Sequence, residues 1–301
     1  MSLNQRYLSV IRKHYPKIKQ TDLQVFADGW DHVVIVAKNT QAFRFPRSQA
    51  YTKRLPIEVS FLQQLLPISP INIPRLTPHQ DPQFSLTYAT YPFIQGVKFN
   101  KDIQVKFSPP QKNHLAHQLG QFITALHSFS VPKAKKIGLE TIRANYWPNR
   151  LKKIQATIFH LVSIKEQQWI TNLFNDFFTV LDQVKVKFVV SHSDIAPEHI
   201  IVDSKTYRLA GLIDFGDISI GDPAYDFQFE RAFGSEFLQQ VYTAYKLPKD
   251  KTFDTRRKFY ESSQPVRNLE NSINRQDQSP INLHKQQLTD FIKNQLVSGD
   301  T

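Results

Sequence analysis

Phe188–Asp226 reads F-V-V-S-H-S-D-I-A-P-E-H-I-I-V-D-S-K-T-Y-R-L-A-G-L-I-D-F-G-D-I-S-I-G-D-P-A-Y-D. Two apolar runs, Ile200–Val202 and Leu209–Ile213, flank a polar turn, which predicts a β-hairpin. A hairpin returns its exit strand beside its entry strand. The loop before the first strand, with His192 and Asp194, therefore meets Asp214 after the second. Strands of about five residues at roughly 3.4 Å per residue keep the turn away from that end. Asp194, His199 and Asp214 are expected to share one small volume. Residues 194–230 hold eight carboxylates against two Lys or Arg, in a chain of net charge +12. That concentration calls for a metal ion or a cationic ligand.

Three motifs here occur in a fixed order: H-S-D-x-x-x-x-H, I-D-F-G-D and G-D-P-A-Y-D-F. Together they resemble the catalytic and metal-binding motifs of the aminoglycoside phosphotransferases and related antibiotic and small-molecule kinases. Protein kinases use a similar H-x-D-x-x-x-x-N then D-F-G logic. The resemblance implies that Asp194 orients the acceptor hydroxyl and takes its proton late. It implies that Asp214 binds Mg2+, a hard cation that wants carboxylate oxygens, and that His192 shapes the loop. His199 stands where Asn is common. Imidazole is a poorer magnesium ligand than oxygen, so His199 either joins Asp214 on the metal or only hydrogen-bonds the loop. Asp222 and Asp226 are expected to cap and hold the following segment.

Upstream, Tyr7, Leu8, Ile11 and Tyr15 fall at helical spacing over residues 4–15. Three β-prone runs follow, Leu23–Ala27, Val33–Ala37 and Ala42–Phe45, the first two joined by D-G-W-D-H. The resemblance makes this turn the loop over the nucleotide, and makes Arg44 in Q-A-F-R-F-P-R the basic residue that reaches the phosphates. Arg47 is the second candidate. A helix over Leu55–Leu66 carries Glu58 in its first turn. There it pairs with Arg44 by resemblance, or favours the helix N-terminus. By the same resemblance, F-S-L-T-Y-A-T-Y-P-F-I-Q-G would form the last strands of a small lobe and its hinge, with the nucleotide base contacted near Thr90, Tyr91 and Phe93.

Residues 96–110 read as a linker broken at Ser108-Pro109-Pro110. Amphipathic helices are expected over His114–Phe129, 143–160, 165–182, Phe237–Tyr245, Arg256–Ser263 and Leu288–Val297. His127 is read as structural. Asn271–His284, polar and with Pro280, is expected to be a loop.

The chain has 301 residues, 41% of them hydrophobic and 12% aromatic, enough for two lobes with sizeable cores. No apolar run reaches the roughly 18 residues of a membrane span. The N-terminal residues lack a signal-peptide core, and a cytoplasmic location is expected. The absence of cysteine excludes disulfides and thiolate chemistry. The positive charge is spread along the chain without a nucleic-acid-binding signature, so nucleic acid is an unfavoured partner. The sequence does not fix the oligomeric state.

The resemblance implies an α+β, two-lobed, protein-kinase-like fold. A small antiparallel-sheet lobe, 1–93, would bind the nucleotide. A larger, mainly helical lobe, 94–301, would hold the catalytic hairpin and substrate. The implied reaction moves the γ-phosphoryl of ATP or GTP to a hydroxyl of a small molecule. An aminoglycoside-like antibiotic is the first candidate, with Glu198, Asp217, Glu230, Glu261 and Glu270 as carboxylates for a cationic substrate. The alternatives are a macrolide, choline, homoserine or sugar acceptor, or a nucleotide-binding protein with little transferase activity.

Overall fold

A computed structural model describes residues 5–27, 29, 31–83, 85–274 and 278–298. Two compact units share the chain. The first takes residues up to Glu140 with Val189–Ile220 and Phe229–Leu247; the second takes Thr141–Phe188, Gly221–Gln228 and the residues from Pro248 on.

The first unit opens with α1 (Gln5–His14), then β1 (Leu23–Phe26), β2 (His32–Ala37), β3 (Gln41–Pro46), α2 (Gln49–Leu65), β4 (Thr77–Asp81) and β5 (Leu86–Pro92). The strands form one sheet in the order β1-β2-β3-β5-β4, each neighbour antiparallel. Side chains alternate across a strand, and β3 is buried at four successive positions because both faces are covered. Phe43 and Phe45 join Val10 and Ile11 of α1 in one core cluster, with Tyr7 stacked on Phe45 at 4.2 Å. Each such fully buried ring contributes about 1.5–3 kcal/mol. Arg44 faces the other way, toward α2. That helix begins at Gln49, six residues before the expected Leu55, which moves Glu58 from its first turn to its middle.

After Gly96, the supposed linker contains β6 (Val97–Lys98) and α3 (Lys101–Gln104). Gly96 has φ +149°, and a Cβ there would lie 2.5 Å from the Val202 carbonyl, so no other residue fits without displacement. α4 (Pro109–His127) also starts earlier than expected. Ser108-Pro109-Pro110 is its N-terminus and not a break: Pro sits in the first turn, and the Gln111 side chain accepts from the Ser108 N–H at 2.7 Å. α5 (Val131–Ile137) follows, and α6 (Tyr146–Ile158) and α7 (Ile164–Asp182) come next in the chain, within the second unit.

Back in the first unit, β7 (Val189–Ser191) pairs with β10 (Ser219–Gly221), and β8 (Ile200–Asp203) and β9 (Arg208–Leu212) form the expected hairpin. Ile200 lies opposite Leu212, and a bulge between Ile201 and Val202 shifts the register. The Asp203 carboxylate closes the turn by accepting from the N–H groups of Lys205 and Thr206. β6 covers the open edge of β8. α8 (Glu230–Phe233) and α9 (Ser235–Ala244) complete this unit, with α9 packed along α4. His127 is buried there and bonds the Tyr245 hydroxyl at 2.9 Å, the structural place expected for it.

The second unit adds α10 (Phe253–Ser262), α11 (Gln264–Asn274) and α12 (Gln278–Ser298). The expected loop over Asn271–His284 is therefore wrong outside 275–277, which lie beyond the described residues. Pro280 falls in the first turn of α12, where a missing N–H costs no helix bond. An aromatic core holds this unit together: Phe177 stacks on Phe259 at 3.7 Å, with Trp147 edge-on to both. No helix among the described residues is long and apolar enough to cross a membrane.

Candidate active site

The hairpin brings the expected groups together. Ile213 N–H donates to the His199 carbonyl at 3.0 Å, which ties the exit of β9 to the entry of β8. His192, fully buried, fastens the preceding loop: Nε2 bonds the Ile213 carbonyl at 3.2 Å, Nδ1 accepts from the Asp194 N–H at 3.3 Å, and the ring meets Phe215 edge-on. It shapes the loop, as read from the sequence. Ser193 (φ 67°) and Asp214 (φ 66°) both take left-handed backbone. For residues with a Cβ this costs on the order of 1–3 kcal/mol, and such strain clusters at functional sites.

His199 stands between the two aspartates. Its Nδ1 lies 2.8 Å from the Asp194 carbonyl oxygen and 3.3 Å from the Asp194 carboxylate; its Nε2 lies 3.6 Å from Asp214 Oδ2. The Nδ1 contact makes that nitrogen the donor and leaves Nε2 facing Asp214. The carboxylates remain 45% and 42% exposed, so neither is closed off.

Their environments push them apart. Desolvation raises Asp194 to about 7, and His199 only partly offsets it. Desolvation also acts on Asp214, but Arg44 and His199 outweigh it and hold that carboxyl below its ordinary value. For His199, burial lowers the pKa while Asp194 and Asp214 raise it, with a net rise. Two carboxyls of split acidity in one site is the pattern of a group that exchanges protons beside a group that stays charged.

In the sheet, Arg44 Nη1 donates to Glu58 Oε1 at 2.6 Å, with both residues buried. Burial works against the Arg44 charge, but Glu58 and Asp214 more than compensate and raise its pKa. Burial raises the Glu58 carboxyl, and Arg44 pulls it back. Beside a guanidinium that keeps its proton, the pair is ionised. Arg44 Nη2 is 3.7 Å from Asp214 Oδ1. Arg47, the other candidate, turns its guanidinium to the carbonyls of Gly29 and Ala27 and braces the β1–β2 turn, of which Asp28 and Trp30 lie outside the described residues.

Sequence reading missed His32, whose Nδ1 lies 3.2 Å from Arg44 Nη2. The register held a signal: Val34 lies opposite Arg44, so His32 is its diagonal neighbour on the same face.

At the expected hinge, Tyr91 is buried on the Arg44 face, and desolvation raises its hydroxyl to about 12. Thr90 faces away, its hydroxyl 2.8 Å from His79 Nε2. The Phe93 N–H donates to the Thr40 carbonyl at 2.8 Å, and its ring stacks with Phe26.

The proposed substrate carboxylates divide between the units. In the first, Glu198 is exposed, Glu230 opens α8, and Asp217 pairs with Arg54 of α2 at 3.4 Å. In the second, Glu261 is buried against Arg257 at 2.7 Å, and Glu270 against Arg150 at 2.8 Å. Asp222 also lies there, caps the Ala224 N–H, and binds Arg256 at 2.6 and 3.1 Å and the Tyr260 hydroxyl at 2.8 Å. Its structural reading holds, while Arg256, Tyr260 and Asp250 were missed.

Among the described residues no three His, Asp or Glu side chains form a closed metal cage. Magnesium does not need one: it keeps waters and takes phosphate oxygens beside one or two carboxylates. A half-exposed, ionised Asp214 with His199 Nε2 turned toward it fits that demand.

An antiparallel sheet with an Arg–Glu pair, followed by an H-x-D loop and a D-F-G hairpin, defines a protein-kinase-like phosphotransferase. The model of the phosphotransferase enzyme family, APH, matches residues 22–257, and the chain belongs to that family. Solved structures share the fold. The GDP and kanamycin complex of the aminoglycoside phosphotransferase APH(2″)-IIIa superposes with TM-score 0.86 at 23% identity, over 97% of this chain and 99% of that one. ADP-bound APH(2″)-Ib gives 0.73 at 18% identity, over 96% and 97%. The macrolide 2′-phosphotransferase MphH from Brachybacterium faecium gives 0.70 at 16%, over 96% and 97%.

Proposed function

We propose that this phosphotransferase moves the γ-phosphoryl of ATP or GTP, with Mg2+, to a hydroxyl of a small molecule in the cytoplasm. Residues 1–93 form the nucleotide lobe and residues 94–301 the catalytic and substrate lobe. The observation that carries the reading is the Asp194–His199–Asp214 cluster, with its two carboxyls of opposite pKa shift.

Asp194, poised near neutrality, orients the acceptor hydroxyl and accepts its proton as the new P–O bond forms. Asp214 stays ionised and would hold Mg2+, with His199 Nε2 as the second donor. A cation there would disfavour the His199 proton and so favour the neutral ring as a donor. Bound magnesium would neutralise charge on the phosphate oxygens. Arg44, held by Glu58, contacts the phosphates. The base end lies near Thr90, Tyr91 and Phe93, with recognition through backbone groups and not through the Thr90 side chain.

An aminoglycoside-like acceptor is the first substrate class, supported by the kanamycin and gentamicin complexes of similar folds. Glu198, Asp217 and Glu230 are its candidate carboxylates. A second reading, a macrolide or other less cationic alcohol, is favoured by the Arg pairing of Asp217, Glu261 and Glu270, three of the five, the last two of them buried. Thermal shift with ATP and GTP plus Mg2+, followed by turnover on kanamycin, gentamicin and a macrolide, tests both. Stabilisation by neither nucleotide overturns the kinase reading; turnover of the macrolide alone selects the second acceptor class.

A further inference from the structure

An arginine at a phosphate site raises a question that a lysine does not. A guanidinium presents five N–H donors in a fixed fork and loses none of them. Arg44 is only 6% exposed, so each donor without an acceptor carries a desolvation cost. Glu58 occupies Nη1 at 2.6 Å. Asp214 Oδ1, 3.7 Å from Nη2, is beyond hydrogen-bond distance. Among the described residues, His32 Nδ1 lies within reach of Nη2, at 3.2 Å. His32 is itself 8% exposed at the head of β2, with its ring 5.7 Å from that of Tyr51 on α2.

Building on the phosphate role proposed for Arg44, we infer that His32 is a positioning residue for phosphoryl transfer: its Nδ1 accepts from Arg44 Nη2 and fixes the second arm of the fork. Glu58 alone leaves the guanidinium able to swing about one contact. Glu58 and His32 together hold two of its nitrogens from different elements, α2 and β2. The acceptor role requires the neutral Nε2–H tautomer, because a protonated ring has no lone pair and would set two cations side by side. The surroundings enforce neutrality: burial, then Arg44 and Arg47, push the imidazole down to about 3, against the opposing pull of Asp214. The role also belongs to arginine alone, since a lysine at position 44 has no second arm to hold.

A double-mutant cycle separates this role from a merely structural one. The readout is Kd for ADP and GDP with Mg2+, using the nucleotide that the parent binds more tightly. His32→Phe, which keeps an aromatic ring beside Tyr51, should weaken binding about tenfold, the scale of one charged hydrogen bond. His32→Asn, with a shorter acceptor, should recover part of the loss. In the Arg44→Lys background, His32→Phe should change Kd by less than about twofold. Equal losses in both backgrounds, or none in either, overturn the inference. Should the parent bind neither nucleotide, the kinase reading fails instead, and His32 is judged by ¹⁵N NMR of its ring. An unprotonated Nδ1 that persists to about pH 5 supports the acceptor role. A protonated Nδ1 refutes it, whatever the nucleotide does.

Discussion

Two charged clusters in this molecule use the same ingredients and finish them differently. In the second unit, Arg256 is wholly buried and bonds Asp222 at 2.6 Å and Asp250 at 2.8 Å, with Tyr260 adding 2.8 Å to Asp222. In the first, His199 and Arg44 approach Asp214 only to 3.6 and 3.7 Å, Asp214 and Asp194 are nearly half exposed, and the backbone is strained at Ser193 and Asp214. A satisfied network holds a fold. An incompletely satisfied one, kept strained and open, leaves hydrogen-bonding capacity for a ligand. The contrast teaches that charge density alone does not mark a site; unfinished geometry does.

The largest effect that tests this contrast is on turnover. Asp194→Asn should lower kcat by about 10²–10⁴, the span of general-base contributions, while nucleotide affinity holds and melting temperature does not fall. A variant that turns over like the parent removes Asp194 from the chemistry and makes the first cluster as structural as the second. The complementary change is Arg256→Ala. Removing one partner of a buried pair leaves Asp222 charged without its cation, with only the Tyr260 hydroxyl and the Ala224 N–H to hold it, which costs about 3–5 kcal/mol, read from urea midpoints. A loss below about 1 kcal/mol would mean that the network is not the brace described.

Legibility followed the same division. The hairpin and the meeting of Asp194, His199 and Asp214 were readable because motif spacing and strand topology fix them locally; the Arg44–Glu58 pair was expected only from the family resemblance. Arg256 was not, because its partners Asp222 and Asp250 lie 34 and 6 residues away, and only packing brings all three together. Proline misled twice. Pro109 opens α4 and Pro280 sits in the first turn of α12, where a break or a loop was expected, since a missing N–H is harmless in a first turn. His32 was hidden because a turn residue was read without the face it presents.

A smaller effect sharpens the role of the buried pair inside the open cluster. Glu58→Ala frees one arm of Arg44, so affinity for ATP should fall by about 1–3 kcal/mol, a charged hydrogen-bond scale. Affinity for adenosine, which lacks phosphates, should hardly change. Equal losses in calorimetric titrations would assign Glu58 to the fold and place it with the Asp222 network.

The smallest effect has opposite signs in the two clusters. Asp194 has its folded pKa raised to about 7, against roughly 3.9 when unfolded. Between those values the folded state binds more protons, so stability falls as pH rises. Asp250 is the reverse. Its bond from Arg256, with Thr252, holds its carboxyl well below the ordinary range. Its contribution is present above about pH 4 and is lost as pH falls through the lower folded pKa. Both side chains are at least a third exposed, so screening keeps each effect to about 1 kcal/mol or less. Asp194→Asn should therefore gain stability relative to the parent between pH 4 and 8, and Asp250→Asn should lose it at pH 8 and approach the parent in acid. Urea midpoints at about pH 2, 3, 4, 6 and 8, with chelator present to exclude metal, give both slopes, the Asp250 one below about pH 4 and the Asp194 one above it. If the two difference curves slope the same way, the carboxyls share one kind of environment, and the open cluster is not held at the expense of stability.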